Sequence, residues 1–442
     1  MSAPPVPPTT SSGRCLTLAE IHSGFDTRPT SNLLWTQEFL TCYGLGGCHP
    51  VRLGDTFKNR RYKVVRKLGH GYTSTVWLAQ DTANDTLAAL KIYMAYGSST
   101  ANLEIMALKA LHVNAATSKL LPTVFDHFVH NGPNGAHQCV TMQVLGPSLR
   151  VVIDSFLLED LIDPEDPLRL AKQVLEATAT FHEAGFAHGD LDAGSIVFSI
   201  NNLAHLSNEA FIAGLDELQT AELVRIDESP LDDEHLPKQL VGAAEWDDWI
   251  DEDEEDIRLI DVCDSFRVGD QVPSSEAVHD AICPPEALFE ETFDYRVDLW
   301  RAGTVLYALV CKSCPFARIG NDDYLVSSMM SRIGALPSEW QPQWQKMCES
   351  SGHPDRICEW LFSVRRAATN TAPSMSRRRR EAQSRGQIQG TCAGARARAA
   401  AARHPGSYAF SAPGPDLCPR GTGAPRLNNT IQRTALDCQL AK

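Results

Sequence analysis

Several short stretches of this chain carry side chains that, brought together, could hold phosphate groups and remove a proton from a hydroxyl. In Leu68-Gly69-His70-Gly71-Tyr72-Thr73-Ser74-Thr75-Val76, the small residues Gly69, Gly71 and Ser74 would let a hairpin backbone approach phosphate oxygens. Alone, that pattern is weak. Lys91, in Ala89-Leu90-Lys91-Ile92, follows Gly69 by 22 residues, and Glu104 follows Lys91 by 13. A lysine can neutralise phosphate oxygens and a carboxylate can hold that lysine in place, although each taken singly would read as an ordinary surface charge. Asp190, in His188-Gly189-Asp190-Leu191-Asp192-Ala193-Gly194-Ser195, is placed to take a proton from a hydroxyl. Asp261 closes the apolar run Ile257-Arg258-Leu259-Ile260, where a carboxylate can face a magnesium ion. Last come Pro284-Pro285-Glu286 and Asp298-Leu299-Trp300.

The elements that must position these residues read clearly in the pattern of apolar side chains. Residues 62–68, 74–79 and 86–92 alternate as strands around a glycine turn, an antiparallel meander. A dinucleotide-binding fingerprint would need a helix directly after the glycines, and here a second strand follows. Residues 102–111 show helical spacing through Leu103, Met106, Ala107 and Ala110; 123–130 and 138–144 read as two further strands. A long amphipathic helix over 168–184 precedes Asp190, and an apolar strand follows it. The longest apolar run, Leu299 to Cys311, is interrupted by Arg301 and too short to span a bilayer, so it is expected as a buried core helix. Strands come first and helices later, an α+β arrangement.

Strand, glycine turn, strand, lysine, helical glutamate, aspartate loop, strand-end aspartate is the protein-kinase order. The resemblance then becomes specific. Cys42-Tyr43-Gly44-Leu45-Gly46-Gly47-Cys48-His49-Pro50-Val51-Arg52-Leu53-Gly54-Asp55, the glycine loop with Ser74-Thr75-Val76-Trp77-Leu78, and Phe293-Asp294-Tyr295-Arg296-Val297-Asp298-Leu299-Trp300 resemble the SR protein kinases, and the acidic insert resembles that of their fungal members. The likeness covers about residues 40 to 345. It implies a bilobal fold with an antiparallel β N-lobe (about 60–146) and a helical C-lobe (about 147–370) shorter than expected, within a kinase domain of 36–370. It also implies ATP and magnesium as cofactors, and phosphorylation of serine in Arg/Ser-rich proteins such as splicing factors. By position, Leu68, Gly69, Gly71, Ser74, Val76, Lys91, Met142 as gatekeeper and Leu145 at the hinge would bind nucleotide. Asp190, Lys91 and Glu104 would be catalytic, and Asp261 and Ser195 would hold metal.

Four residues depart from that pattern. Gly189 stands where an arginine usually precedes the catalytic aspartate, which removes the usual partner of a phosphorylated activation loop. Asp192 replaces a loop lysine, setting an anion near the transferred group. Ser195 replaces an asparagine, a shorter reach to metal. Cys263 replaces the glycine of the magnesium motif, where its Cβ would penalise a positive φ. The alternative reading is therefore a pseudokinase scaffold that grips basic proteins through an acidic groove.

Composition agrees with a folded enzyme: 442 residues, 43% hydrophobic and 21% charged. The net charge is −15, and from Asn370 onward 12 basic residues face three acidic ones, giving a tail of +9 on a body of −24. Such a body repels bare nucleic acid and attracts basic partners, and no membrane association is expected. The insert over 201–256 ends in Glu245-Trp246-Asp247-Asp248-Trp249-Ile250-Asp251-Glu252-Asp253-Glu254-Glu255-Asp256, a density of like charge expected of a solvated loop. Residues 1–35 read as a flexible leader with no apolar signal segment, and 371–442 as a disordered basic tail. The 13 cysteines, scattered and odd in number, indicate reduced thiols and a cytoplasmic and nuclear protein, expected as a monomer. Cys311 and Cys314 have no second pair at zinc-site spacing.

Overall fold

In the computed structural model, residues 24–25, 37–156, 165–201, 206–229, 231–244, 255–274, 282–316 and 322–350 are described. Six antiparallel strands make one sheet: β1 (Thr56–Phe57), β2 (Tyr62–His70), β3 (Ser74–Asp81), β4 (Thr86–Tyr93), β5 (Val124–Gly132) and β6 (Gly135–Met142), in the order β1-β2-β3-β4-β6-β5. Register aligns Val76 with Lys91 and Lys91 with Val140, which puts the lysine at the centre of the sheet. Between β4 and β5 the chain forms α1 (Ser98–Leu111) and the short α2 (Ala115–Ser118).

The buried face of α1 differs from the one its apolar spacing suggests. Ala101, Glu104, Ile105, Leu108 and Leu111 are buried; of the four expected positions Ala107 is buried, while Leu103, Met106 and Ala110 are only half-buried. The helix is turned so that a carboxylate faces the sheet, where Lys91 meets it. An apolar count ranks Glu104 as a surface residue; an ion pair with a central strand overrides that ranking.

Both faces of the sheet are covered. On one side Ala89, Tyr93, Val140 and Met142 pack with Ala101 and Ile105 of α1. On the other, Trp77, Ala79, Leu90 and Ile92 are closed by Val51, before β1, and by Val241, from the insert. Part of the 201–256 insert therefore packs against the sheet and does not merely interrupt the core. Residues 206–244 include α5 (Asn208–Gly214) and the antiparallel pair β9 (Thr220–Glu222) and β10 (Gln239–Val241), with α3 (Leu149–Phe156), α4 (Glu165–Glu183), β7 (Phe186–Ala187) and β8 (Ile196–Phe198) preceding them. Phe211 of α5 packs with Leu78 and Val144, and the buried Arg66 of β2 reaches Asp216 at 2.5 Å. The Ala244 amide donates to the Lys67 carbonyl at 2.9 Å. Lys67 itself, 1% exposed, is neutralised by buried Glu38, which also accepts from the Tyr43 hydroxyl. The leader is likewise not wholly flexible, because Phe25 is 1% exposed beside Tyr43, Leu223 and Leu240. The acidic run over 245–254 lies outside the described residues, as do most of residues 1–36 and everything beyond 350.

The helical part is organised by α4, whose Leu170, Val174, Ala177 and Phe181 repeat at helical spacing and are each buried. They join one core with Ile196 and Phe198 of β8, Ile257 and Leu259 of β11 (Ile257–Leu259), and Ala302, Val305 and Leu309 of a helix over 297–311. Two short ladders hold the loops that matter: β8 pairs with β11, and β7 pairs with β12 (Phe266–Arg267). β13 (Val272–Pro273) pairs with β14 (Thr292–Phe293), flanking α6 (Pro285–Phe289), and α7 (Val297–Cys311) follows. This α+β architecture, a sheet lobe then a helical lobe, is the one expected. Residues 322–350, part of a second unit, contain α8 (Asp322–Ile333) and α9 (Gln341–Ser350). Among the described residues no helix is long and apolar enough to cross a membrane, no cluster suits a metal ion, and Cys311 and Cys314 are exposed free thiols.

Three histidines meet at one edge of the sheet. His49 lies 4.5 Å from His130 and 5.1 Å from His137, ring centre to ring centre. His137 donates from Nδ1 to the Tyr93 carbonyl at 2.9 Å, so its buried Nε2 is the unprotonated nitrogen. Burial pulls His49 down to about 3 and His137 to about 4, and lowers His130 as well. Because these folded-state values lie below the unfolded value near 6.5, the unfolded chain binds more protons on acidification. Stability is therefore full above about pH 6.5 and falls toward pH 4, by up to about 1.4 kcal/mol per pH unit for each group. Urea denaturation between pH 7.5 and 5 should show this slope, and His49→Phe should flatten it; an unchanged slope would contradict it.

Candidate active site

Lys91 is the charge around which the site assembles. It is 8% exposed, and its Nζ contacts both oxygens of Glu104, at 3.0 and 2.9 Å, and Oδ1 of Asp261 at 2.5 Å. Burial pulls the lysine pKa down, but Asp261 and Glu104 outweigh it and the ammonium is held charged. Asp261 is lowered in turn, chiefly by Lys91. Burial raises Glu104, and Lys91 opposes it. One cation thus joins a strand, a helix and the loop after β11.

Beside that charge lie the glycine turn and a group of apolar side chains. The β2–β3 turn is closed by Gly71, whose amide donates to the Ser74 carbonyl at 2.8 Å, with Gly69 opposite Val76. Leu68 and Val76 are half-buried against Ala89 and Met142, an apolar slot on the inner side of the sheet. Leu145 is half-buried in the segment linking β6 to α3, which is pinned when Gly146 donates to the Phe198 carbonyl at 2.9 Å. Ala89 is a slot residue that the sequence reading did not single out. The lysine motif that contains it was the available signal.

The aspartate loop hangs from a single buried carboxylate. Asp298, 1% exposed on α7, accepts from the amides of His188 at 2.7 Å and Gly189 at 2.9 Å, and lies 3.0 Å from Nε2 of His182. His188 Nε2 meets the Ile260 carbonyl at 3.0 Å, and the Ile260 amide donates to the Ser195 carbonyl at 2.9 Å. These bonds lay the loop that carries Asp190 against the loop that carries Asp261. Asp190 keeps 38% of its side chain exposed and contacts Nη1 of Arg301 at 2.9 Å. Burial raises its pKa, Arg301 lowers it, and Asp264 raises it again.

Asp192 and Ser195 do not face outward. Asp192 Oδ1 accepts from the amides of Gly194 at 2.7 Å and Ser195 at 2.8 Å, and Oδ2 pairs with Arg150 at 2.8 Å. Ser195 is 4% exposed; its Oγ accepts from the Asp192 amide at 2.9 Å and lies 3.1 Å from the Asp192 carbonyl. The structure therefore binds the hydroxyl expected at the second metal position into its own loop. Asp261, whose side chain is half exposed, fits a magnesium ion.

Parts of the chain are similar to known protein kinases. No protein-family profile matches the chain. Protein kinase dsk1 of Schizosaccharomyces pombe is 36% identical over 180 residues, 38% of this chain and 32% of that protein. SRSF protein kinase 3 of Homo sapiens is 42% identical over 112 residues, 24% of this chain and 20% of that one. Over these segments the chain is similar to kinases of the SR protein family. A serine/threonine protein kinase of Aspergillus fumigatus is 27% identical over 330 residues, 72% of this chain and 76% of its own length. The chain thus spans about a third or less of the kinases that it matches above 30% identity. A crystal structure of a kinase domain aligns at 20% identity over 70% of this chain and 81% of its own, with a TM-score of 0.46.

Two of the four departures from the SR protein kinase pattern acquire structural reasons. Gly189 has φ +86°, and a Cβ there would lie 2.2 Å from the Asp264 carbonyl oxygen, so no side chain fits. The positive φ feared at Cys263 falls instead on Asp261, at φ 59°. Aspartate tolerates that left-handed conformation better than most residues, and Cys263 sits in a 3-10 turn without strain. Arg150 and Arg301 are site residues that sequence reasoning did not assign.

Gly189→Ala should destabilise the fold by about 2 kcal/mol or more, and Gly189→Arg should fail to fold, as read by denaturation midpoints. Lys91→Met leaves the buried Glu104 carboxylate without its cation and should cost about 3–5 kcal/mol. Adding Glu104→Gln to it should restore part of the loss; a double variant less stable than the single one would contradict this pairing.

Proposed function

We propose that the chain is an ATP-dependent serine/threonine protein kinase that phosphorylates serine in Arg/Ser-rich proteins such as splicing factors. The observation that carries this is the Lys91 junction, with Glu104 and Asp261 engaged at once and Asp190 open beside it. Phosphoryl transfer needs this lysine–glutamate pair formed and the strand-end aspartate in place. Lys91 steadies the α and β phosphates of ATP, and the glycine turn at Gly69 and Gly71 brings backbone amides over them. Magnesium, when bound, is held by Asp261 and neutralises phosphate charge. Asp190 accepts the proton of the substrate hydroxyl as that oxygen bonds to the γ-phosphorus, the bond to the β–γ bridging oxygen breaks, and ADP leaves.

The substrate class rests on two supports. The similar proteins include an SRSF protein kinase, and a body of net charge −24 attracts a polycationic Arg-Ser segment over long range. A monomer working in cytoplasm and nucleus is the form in which we place it.

Purified protein, ATP and magnesium should transfer radiolabelled phosphate to an Arg-Ser repeat peptide, and Asp190→Ala should reduce transfer at least about 100-fold. ATP with magnesium should also raise the melting temperature, an increase that Lys91→Met abolishes relative to its own baseline. Peptide binding without transfer would overturn the enzymatic reading in favour of a scaffold.

A further inference from the structure

We infer that Arg301 is the positioning residue for Asp190, a cation supplied from inside the helical lobe where the loop itself offers none. The inference rests on the phosphoryl-transfer reading above. Arg301 is 2% exposed on a helix whose other buried positions are the apolar Val297, Ala302, Val305 and Leu309 together with Thr304 and Asp298, the last engaged by the His188 and Gly189 amides. A guanidinium there loses its hydration, and such burial is sustained only by compensating charge or hydrogen bonds. Its Nη1 reaches Oδ1 of Asp190 at 2.9 Å, a charge contact, with 3% of the arginine side chain exposed against 38% of the aspartate's. The arginine therefore holds Asp190 from behind and leaves its cleft side open.

The other groups around Asp190 make a holding cation necessary. Asp264 and Asp192 are anions that repel it, and His188 lies beneath its amide, 3.4 Å from Nδ1. The loop position two residues on, which could offer a cation from the cleft, carries Asp192, tied to Arg150 and to the amides of Gly194 and Ser195. Without Arg301 the carboxylate is pushed by two like charges and can swing out of line. A misplacement near 1 Å at a reacting group lowers rate by about 100-fold while substrate binding is kept.

The test is steady-state kinetics of full-length Arg301→Lys, Arg301→Gln and Arg301→Met on the Arg-Ser repeat peptide with ATP and magnesium, beside their melting temperatures. The neutral variants should lose at least about 30-fold in kcat with KM for ATP and peptide within about twofold of wild type, and Arg301→Lys should return to within about fivefold. A neutral variant within threefold of wild-type kcat, or a lysine variant as impaired as the methionine one, overturns the inference while wild-type transfer leaves the proposed function standing. Should neither neutral variant fold, the lysine variant decides: at least about a fifth of wild-type kcat supports the role and less than about a thirtieth refutes it. An inactive wild type overturns the proposed function and this inference together.

Discussion

A buried ammonium cannot be left alone, and the architecture around Lys91 follows from that constraint. Its strand lies at the centre of a sheet covered on both faces, so water is excluded and charge must be met by charge. Glu104 meets it from α1 and Asp261 from the loop after β11. The rotation of α1 away from its most apolar face and the left-handed conformation at Asp261 both serve this junction. It also binds the sheet lobe to the helical lobe at the point where a nucleotide's phosphates would lie.

The helical lobe solves a related problem with the sign reversed. Asp298 is a buried anion, and two backbone amides of the aspartate loop converge on it. One turn along the same helix, Arg301 reaches the side chain of that loop. The loop is thus suspended from α7 by its backbone and by its carboxylate, while Gly189 gives up its side chain so that the neighbouring loop can press against it. Departures that look like losses in sequence, Gly189 and Cys263, are compatible with this packing without strain. Asp192 has exchanged a place in the cleft for a cap on its own loop.

The insert and the leader show how a small sheet gains a second cover. Val51 and Val241 close the face opposite α1, and the Lys67–Glu38 pair with Tyr43 fixes the leader to β2. A six-stranded sheet exposed on one face would present Trp77 and Leu90 to water. Covering it with segments from either side of the aspartate loop makes N-lobe stability depend on residues more than 100 positions apart.

Much of this protein is written locally. Alternation in β2 to β4, the glycine turn, the long helix before Asp190 and the spacing of Lys91, Glu104 and Asp261 are short-range signals, because strand and helix periods and turn chemistry act over a few residues. They determined the fold class, the order of elements and the residues around which phosphate chemistry is proposed. Tertiary structure alone decided which face of α1 turns inward, that part of the acidic insert folds against the sheet, that Ser195 bonds within its own loop, and that Arg301 meets Asp190. Each depends on a charge or hydrogen bond closing across large separations in sequence, or on a backbone conformation set by packing. A pattern of apolar residues has no means of stating where a buried charge will find its partner.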